Sequence, residues 1–290
     1  MTDSYDPNQN KPERDLVNYT TVRVPELRLI HRMLVSTGGG MTNVSTLREA
    51  MAPDDDAHLE QCLKFLRAVD VIERPEDRVI ELLNQDVYPE LSFEPRLLYH
   101  LNQQPHPQDH VVEAQQVAFE LAPRTLKRER LEAELNGEIE HIAWNQTKLN
   151  GWYRLLRGIG VLSYLDSREL VLSPRPALLY ELLETFRDTE NSTDFGEAVA
   201  WIDDQFLTVL ATRPGTPRLH QGVTDTLQTL LNEDYVTVRG MSDARNEVVL
   251  PSTHSRNEEP AVTEFELHGW PETPSASKRY RLDRFSEENT

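Results

Sequence analysis

Apolar and polar positions repeat one pattern at three places along the chain. Residues 63–72, 153–162 and 227–236 each contain apolar side chains spaced three and four positions apart, followed by a short run of Val, Ile, Leu or Tyr. The first spacing gives a helix one buried face, and the second run is typical of β-strands. A polar stretch and a second apolar run follow each copy. The pattern therefore predicts, three times, the end of a helix followed by two short strands.

Residues that tolerate a positive φ mark the turn between helix and strand. Gly158 and Gly160 stand at this point in the second copy, and Asp70 and Asp234 occupy the matching position in the other two. Glycine has no side chain to clash in left-handed backbone, and glycine or a short polar residue commonly ends a helix in this way. We therefore expect the three helices to end with the same backbone turn.

The spacing of the copies divides the chain into three units of ordinary domain size. Polar segments separate the units at residues 103–110 and 187–194, which we interpret as linkers. We predict a disordered or extended tail at residues 1–24, unit one with a following helix at 25–102, and unit two with a following helix at 111–187. Unit three covers residues 195–251, and a polar tail with room for short strands covers 252–290.

Apolar periodicity predicts the helices inside each unit. Unit three lacks an obvious second helix, because the turn-rich segment 212–217 stands in its place. The expected helices cover residues 26–36, 44–51 and 55–68 in unit one, 111–121, 126–135 and 147–157 in unit two, and 197–211 and 223–231 in unit three.

A closing helix followed by a two-stranded β-wing, repeated in tandem, resembles the tandem winged helix-turn-helix proteins of halophilic archaea. The resemblance covers about residues 25–250. It implies a fold that is mainly α with small β-wings (α+β), arranged as three tandem winged-helix units. Such proteins are transcription regulators or accessory subunits of DNA-handling assemblies, and winged helices also serve as protein-binding modules.

Charge supports the halophilic part of this resemblance. The chain has 49 acidic and 30 basic residues, and only 5 of the basic residues are lysines. At molar salt the Debye length is about 3 Å, so an acidic surface preserves hydration without strong self-repulsion. The alternative explanation is that the negative charge excludes nucleic acid altogether.

The charge is distributed unevenly along the chain. Residues 123–175 carry a net charge of +2, whereas residues 1–122 carry −10 and residues 176–290 carry −11. Unit two is therefore the least acidic part of the chain, and we expect it to provide the main contact with double-stranded DNA.

In a helix-turn-helix, the first helix of the motif crosses the phosphate backbone and the second presents side chains to base edges. Asn and Gln pair with adenine, and Arg pairs with guanine. The alternative is that these polar residues form only the solvated face of each helix. The candidate DNA-binding residues are Arg124, Lys127, Arg128 and Arg130 on the second helix of unit two, Asn145, Gln146, Lys148, Asn150, Arg154 and Arg157 on its third helix, Arg168 near its wing, and Lys64, Arg67, Arg74 and Arg78 in unit one.

No pattern in the sequence predicts an enzyme, a cofactor or a metal site. Cys62 is the only cysteine and lies among apolar helical positions, so we expect it in the core. His106 and His110 have the His-x3-His spacing of metal ligands, but they lie in a Pro/Gln-rich linker without a cysteine partner. No apolar run approaches the ~20 residues of a membrane span, and we expect a cytoplasmic protein with no membrane contact.

Two functions from different classes remain open. The first is a non-enzymatic protein that binds duplex DNA chiefly through unit two, as a transcription regulator or an accessory factor in antiviral defence or DNA handling. The second is an assembly subunit whose winged helices mainly bind other proteins. The predicted third helix of unit three carries no positive charge, so we expect residues 195–251 to bind a protein partner or a second copy of the chain.

Overall fold

The protein is mainly α-helical with small sheets, as its sequence predicts. Its buried apolar residues, from Leu16 to Phe265, form one core cluster. None of the helices in the described ranges combines the length and the apolar character that a membrane span requires. The structure is a computed structural model and describes residues 15–37, 39–51, 56–76, 78–84, 87–164, 168–211, 216–240, 246–252 and 259–270.

Unit one consists of three helices, a three-stranded antiparallel sheet and a following helix. The strand order in the sheet is first, third, second. The first strand is not predicted by the sequence, because it has only three residues. The elements are α1 (Val24–Ser36), β1 (Met41–Asn43), α2 (Val44–Met51), α3 (Asp56–Ala68), β2 (Ile72–Glu76), β3 (Val79–Leu82) and α4 (Phe93–Asn102).

Unit two has the same order of elements and the same strand order. Its predicted second helix starts two residues late, since Leu126 is buried opposite Leu170 in the sheet. The elements are α5 (His110–Leu121), β4 (Thr125–Lys127), α6 (Arg128–Glu138), α7 (Gln146–Ile159), β5 (Ser163–Tyr164), β6 (Glu169–Val171) and α8 (Pro176–Glu190).

The three predicted helix ends share one backbone turn. Asp70, Gly160 and Asp234 have φ values of 55°, 103° and 57°. In each copy the N–H of the next residue donates to the carbonyl five positions earlier, at 2.9, 2.9 and 3.0 Å. This bond satisfies a carbonyl that the end of a helix leaves without a partner. The prediction for these three positions is confirmed, whereas Gly158 lies inside α7 and does not have a positive φ.

Unit three departs from the pattern of the other two. A strand pair stands where they have a second helix, and the predicted helix 197–211 ends at Gln205. The elements are α9 (Phe195–Gln205), β7 (Leu210–Ala211), β8 (Arg218–Leu219), α10 (Gln221–Asn232), β9 (Val236–Arg239), β10 (Val248–Val249), β11 (Ala261–Val262) and β12 (Glu264–Leu267).

The wing predicted for unit three is wrong in its strand pairing. We expected β9 and the run 247–250 to form a hairpin, but β9 pairs with β12, and β10 pairs with β8 and β11. The predicted polar tail thus contributes two strands, and Trp270 packs between Tyr180 and Tyr235 with ring centroids 5.1 and 4.7 Å apart. Its other predicted strand, residues 280–285, lies outside the described residues.

The described part of the predicted N-terminal tail is packed against the helices. A 3-10 turn at Leu16–Asn18 buries Leu16 and Val17, and the ring of Tyr19 meets Phe65 edge-on at 5.6 Å. We expected residues 1–24 to be disordered or extended, and for residues 15–23 this is corrected. The physical reason is that a few apolar side chains in a polar segment suffice to hold it on a hydrophobic surface.

Polar contacts join the units to one another. Glu181 of α8 accepts hydrogen bonds from the N–H and the hydroxyl of Ser92, which caps α4, at 2.5 and 2.8 Å. At the junction of units two and three, His220 Nε2 donates to the Ala122 carbonyl at 3.0 Å, and its Nδ1 accepts from the Gly222 N–H at 3.1 Å. These two contacts assign the buried imidazole to the tautomer with its hydrogen on Nε2.

A buried cluster of Arg96, His31 and His100 lies between α1 and α4. The Arg96 side chain donates to the carbonyls of Asn84, Val87 and Tyr88 at 3.3, 3.1 and 2.8 Å. Burial, reinforced by the charge of Arg96, lowers the pKa of both His31 and His100 to about 4. Both imidazoles are therefore neutral in the folded protein at pH 7.

These two histidines predict a loss of stability in mild acid. Between pH 6.5 and about 4 the unfolded chain binds protons that the folded chain does not, so stability falls as the pH falls through this range. Each histidine accounts for up to about 3 kcal/mol of that loss. We expect the denaturation midpoint to fall less between pH 7 and 5 in His31→Gln/His100→Gln than in the wild type. Equal falls in both proteins would contradict this assignment.

Candidate nucleic-acid interface

Helix α7 is the central element of unit two. Asn145 caps its first turn by accepting the Lys148 N–H at 3.0 Å, and Gly160 ends it with left-handed backbone. Trp152 is fully buried on its inner face, and its indole N–H donates to the Val111 carbonyl at 2.9 Å. Capping and burial thus set the orientation of the helix.

A second face of α7 is covered by residues 15–24, which are the segment before α1 and the first residue of α1. A Cβ at Gly151 would lie 2.7 Å from the Val17 carbonyl oxygen, and one at Gly158 would lie 2.5 Å from the Val24 side chain. Both glycines therefore allow a close approach that a larger residue would prevent.

The residues beside this contact are bonded to the same segment. Lys148 Nζ is 3.2 Å from an oxygen of Asp15, and the Lys148 side chain is only 16% exposed. The guanidinium of Arg154 donates to the carbonyl of Thr20. Asp15 therefore neutralises the charge of Lys148. Arg154 donates to a neutral carbonyl group, so its charge is not neutralised by this bond.

The remaining face of α7 is exposed. Asn150, Arg154 and Arg157 follow one another at helical spacing along it. The Arg157 guanidinium lies 4.9 Å from the ring centroid of Tyr164, which stands on β5 and is 40% exposed. A cation above an aromatic face is attracted by it, so Tyr164 orients Arg157.

Arg128 connects this face to the start of α6 and to the wing. Its guanidinium donates to the Asn150 side-chain oxygen, and its backbone N–H donates to the Arg168 carbonyl at 3.0 Å. Lys127 lies opposite Glu169 in the same sheet. We call this surface the basic face and define it as Lys127, Arg128, Asn150, Arg154, Arg157, Tyr164 and Arg168.

The charge of the basic face is only partly neutralised. Within the described ranges, Lys127, Arg154 and Arg157 form no ion pair with a carboxylate. In a chain with a net charge of −19, such cations are available to a negatively charged ligand.

Four other candidates in unit two have structural contacts. Arg124 forms a bidentate pair with Asp225 of α10 at 2.6 and 3.1 Å, and this hydrogen bonding raises its pKa. Gln146 donates to Glu132, while Asn145 and Lys148 have the contacts described above. Arg130 is exposed on α6. The structure therefore brings six of the eleven candidates of unit two into the basic face.

The candidates in unit one form a mixed surface. Lys64 and Arg78 are exposed, and Arg67 is half-buried. Arg74 pairs with Glu60 at 3.3 Å. The acidic partner leaves this surface less positive than the basic face.

Equivalent positions in the three units differ in charge. The repeated turn aligns α3, α7 and α10 residue by residue, so the exposed positions of α7 can be compared with those of the other two. The positions compared are those of Asn150, Arg154 and Arg157 in α7. Their counterparts are Glu60, Lys64 and Arg67 in α3, and Thr224, Gln228 and Leu231 in α10.

The sequence reasoning missed Tyr164. It falls in the polar stretch between the two apolar runs of the second copy and was not singled out, although an exposed aromatic residue in a short polar wing is a recognisable feature of binding surfaces. Its contact with Arg157 depends on the distance between α7 and β5, which the sequence does not give.

Comparisons with protein-family models, with curated proteins and with solved structures gave no match. The order of elements and the contacts of the basic face are therefore the observations on which a function can be proposed.

Two glycines with different surroundings test the covered face of α7. Gly151→Ala should destabilise the protein by about 1 to 3 kcal/mol, because the new methyl group overlaps the Val17 carbonyl. Gly137 is also helical but has nothing within 4 Å, so Gly137→Ala should stabilise by about 0.5 to 1 kcal/mol. Chemical denaturation measures both changes, and equal stabilisation by the two variants would argue against this packing.

Proposed function

We propose that units one and two are winged helix-turn-helix units, similar to those of halophilic archaeal tandem proteins, and that unit three is a divergent third copy. The support is the shared order of a helix, a strand, two helices and two strands, with the strands arranged first, third, second. In this arrangement α3 and α7 are the helices that such proteins present to the major groove. A role on DNA would also agree with the expected cytoplasmic location.

Unit two is proposed to bind duplex DNA through the basic face, without enzymatic activity. The major groove is about 12 Å wide and admits one α-helix. With α7 in the groove, Asn150 and Arg154 would approach base edges, and Arg157 and the wing would approach phosphates. Lys127 and Arg128 precede the groove helix and would contact the neighbouring backbone.

The observation that carries this proposal is the pair Arg154 and Arg157. Both are exposed on α7, and neither forms an ion pair in the described part of the chain. In a chain with 49 acidic residues, two neighbouring arginines without a carboxylate partner leave positive charge that DNA phosphates can contact. Phosphate contacts of this kind make affinity depend steeply on salt.

A second candidate function rests on α10. This helix occupies the place of α7 in unit three, but Gly222 contacts the Leu172 carbonyl of unit two and Arg124 binds Asp225. One helix of the repeat therefore packs against another unit of the same chain. An assembly subunit would use α3 or α7 in the same manner, with another protein or a second copy as the partner.

Charge reversal in unit two, compared with charge reversal in unit one, tests the DNA proposal. Arg154→Glu/Arg157→Glu should weaken binding to a duplex by at least about tenfold and reduce the salt slope by about 1, because Arg157 is the one of the two that would contact a phosphate. Lys64→Glu/Arg78→Glu changes the net charge equally but lies in unit one, and it should leave both quantities nearly unchanged. Fluorescence anisotropy with a labelled duplex over a series of potassium chloride concentrations measures both.

Three outcomes would contradict the proposal. Equal weakening by the two variants would indicate a general effect of charge. An unchanged affinity of Arg154→Glu/Arg157→Glu would exclude the basic face as the DNA-binding surface. Absence of wild-type binding at every salt concentration would favour the assembly function. Circular dichroism should show that both variants keep the wild-type helix content.

A further inference from the structure

Three side chains that are distant in sequence meet beside the start of α7. His106 belongs to the segment before α5, Glu113 lies in the first turns of α5, and His141 lies in the turn between α6 and α7. Each offers one nitrogen or oxygen atom, and the three atoms lie within 4.8 Å of one another. The His106 and His141 rings are 4.6 Å apart.

One pair of side chains in this cluster has the separation of two ligands of one metal ion. His141 Nε2 is 3.5 Å from Glu113 Oε2, and His106 Nδ1 is 3.4 Å from Asp109 Oδ1. Two ligands with bonds of about 2.0 to 2.1 Å in a tetrahedral site are about 3.3 Å apart. The His141–Glu113 pair already has nearly this separation, and His106, whose ligand atom lies within 4.8 Å of both, would move towards them around an ion.

The oxygens of this cluster have unmet bonding capacity. Glu113 Oε2 and Asp109 Oδ1 are inaccessible to solvent, and neither has a hydrogen-bond partner in the described residues. A buried oxygen that lacks a donor is costly, and a cation would remove that cost.

His110 provides a further unpartnered nitrogen beside the cluster. It is 1% exposed, and its ring centroid lies 6.3 Å from that of His141. Its Nδ1 is 3.0 Å from the Pro107 carbonyl, while Nε2 has no partner in the described residues. A ring that donates Nδ1–H to a carbonyl presents the Nε2 lone pair, as metal-binding histidines commonly do.

We propose that His106, Glu113 and His141 bind one divalent transition-metal ion of the Zn²⁺ type. Nitrogen and carboxylate ligands suit this class of ion, and a water molecule would complete four-coordination. Asp109 lies next to the site and would balance the remaining positive charge. The ion would fix the turn before α7 to α5, so it would hold the helix that carries the basic face.

The position of His141 explains why the sequence did not predict this site. We considered His106 and His110 as a pair without further ligands, and expected no metal. Folding adds His141 from beyond α6, and α5 supplies Glu113. The structure therefore changes the interpretation of the histidine-rich segment.

A second group of possible ligands is less suited to a metal. Glu26, His58 and Cys62 also lie within 4.8 Å of one another, but Cys62 is fully buried, and His58 Nε2 already lies 2.9 Å from Glu26 Oε2. This group serves as an internal control.

Titration of the metal-free full chain with Zn²⁺ tests the proposal. Calorimetry should show one saturable site, and His141→Gln and Glu113→Gln should each weaken binding by at least about 100-fold, the upper range for loss of a supporting residue. His58→Gln should bind as the wild type does. Zn²⁺ should raise the melting temperature of the wild type and of His58→Gln, but not of the two ligand variants.

Absence of a saturable site in the wild type would overturn the proposal, as would unchanged affinity in His141→Gln. Loss of binding in His58→Gln alone would assign the ion to the other group and would also overturn it. Both ligand positions are at least partly exposed, so the variants should keep the fold, which circular dichroism can verify. Co²⁺ provides an independent measurement, because the intensity of its visible absorption reports tetrahedral coordination.

Discussion

The close contact between α7 and residues 15–24 determines which part of unit two is available for binding. Gly151 and Gly158 are two helical turns apart and therefore lie on the same side of α7. Their missing side chains let the backbone near Val17 and the Val24 side chain approach the helix axis. Since Trp152 and its neighbours are buried on another side, a single strip of α7 remains exposed. The basic face depends on this division of the helix surface.

The same contact separates residues that look equivalent in the sequence. Lys148 and Arg154 are both cationic residues of α7, but Lys148 pairs with Asp15, whereas Arg154 binds a carbonyl group. One charge is neutralised and the other is not. Arg124 shows the same effect at the opposite junction, because Asp225 of unit three is its partner. Residue type therefore identifies the candidate residues, and long-range packing determines which of them have a carboxylate partner.

The features that could be predicted are those that depend on neighbouring residues. The turns at Asp70, Gly160 and Asp234 follow from a residue that tolerates left-handed backbone and from bonds within one helical turn. The strands β1 and β4 were missed because three residues give no periodicity, and each is held by a strand far along the chain. The partner of β9 was wrong for the same reason, since β12 competes successfully with the nearer β10. The histidine cluster likewise depends on a turn that only the fold brings close.

The acidity of the chain is compatible with a DNA-binding surface if the solvent contains molar salt. The Debye length is then about 3 Å, so carboxylates elsewhere on the protein no longer repel DNA over distance. Only charges at contact range count under these conditions. Units one and two share a backbone arrangement, but α3 has Glu60 where α7 has Asn150. If these helices enter the major groove as proposed, a carboxylate at that position would make contact by α3 less favourable than contact by α7. Selection for DNA binding would therefore act on a few contact residues of each repeat, while the rest of the surface could become acidic for solubility.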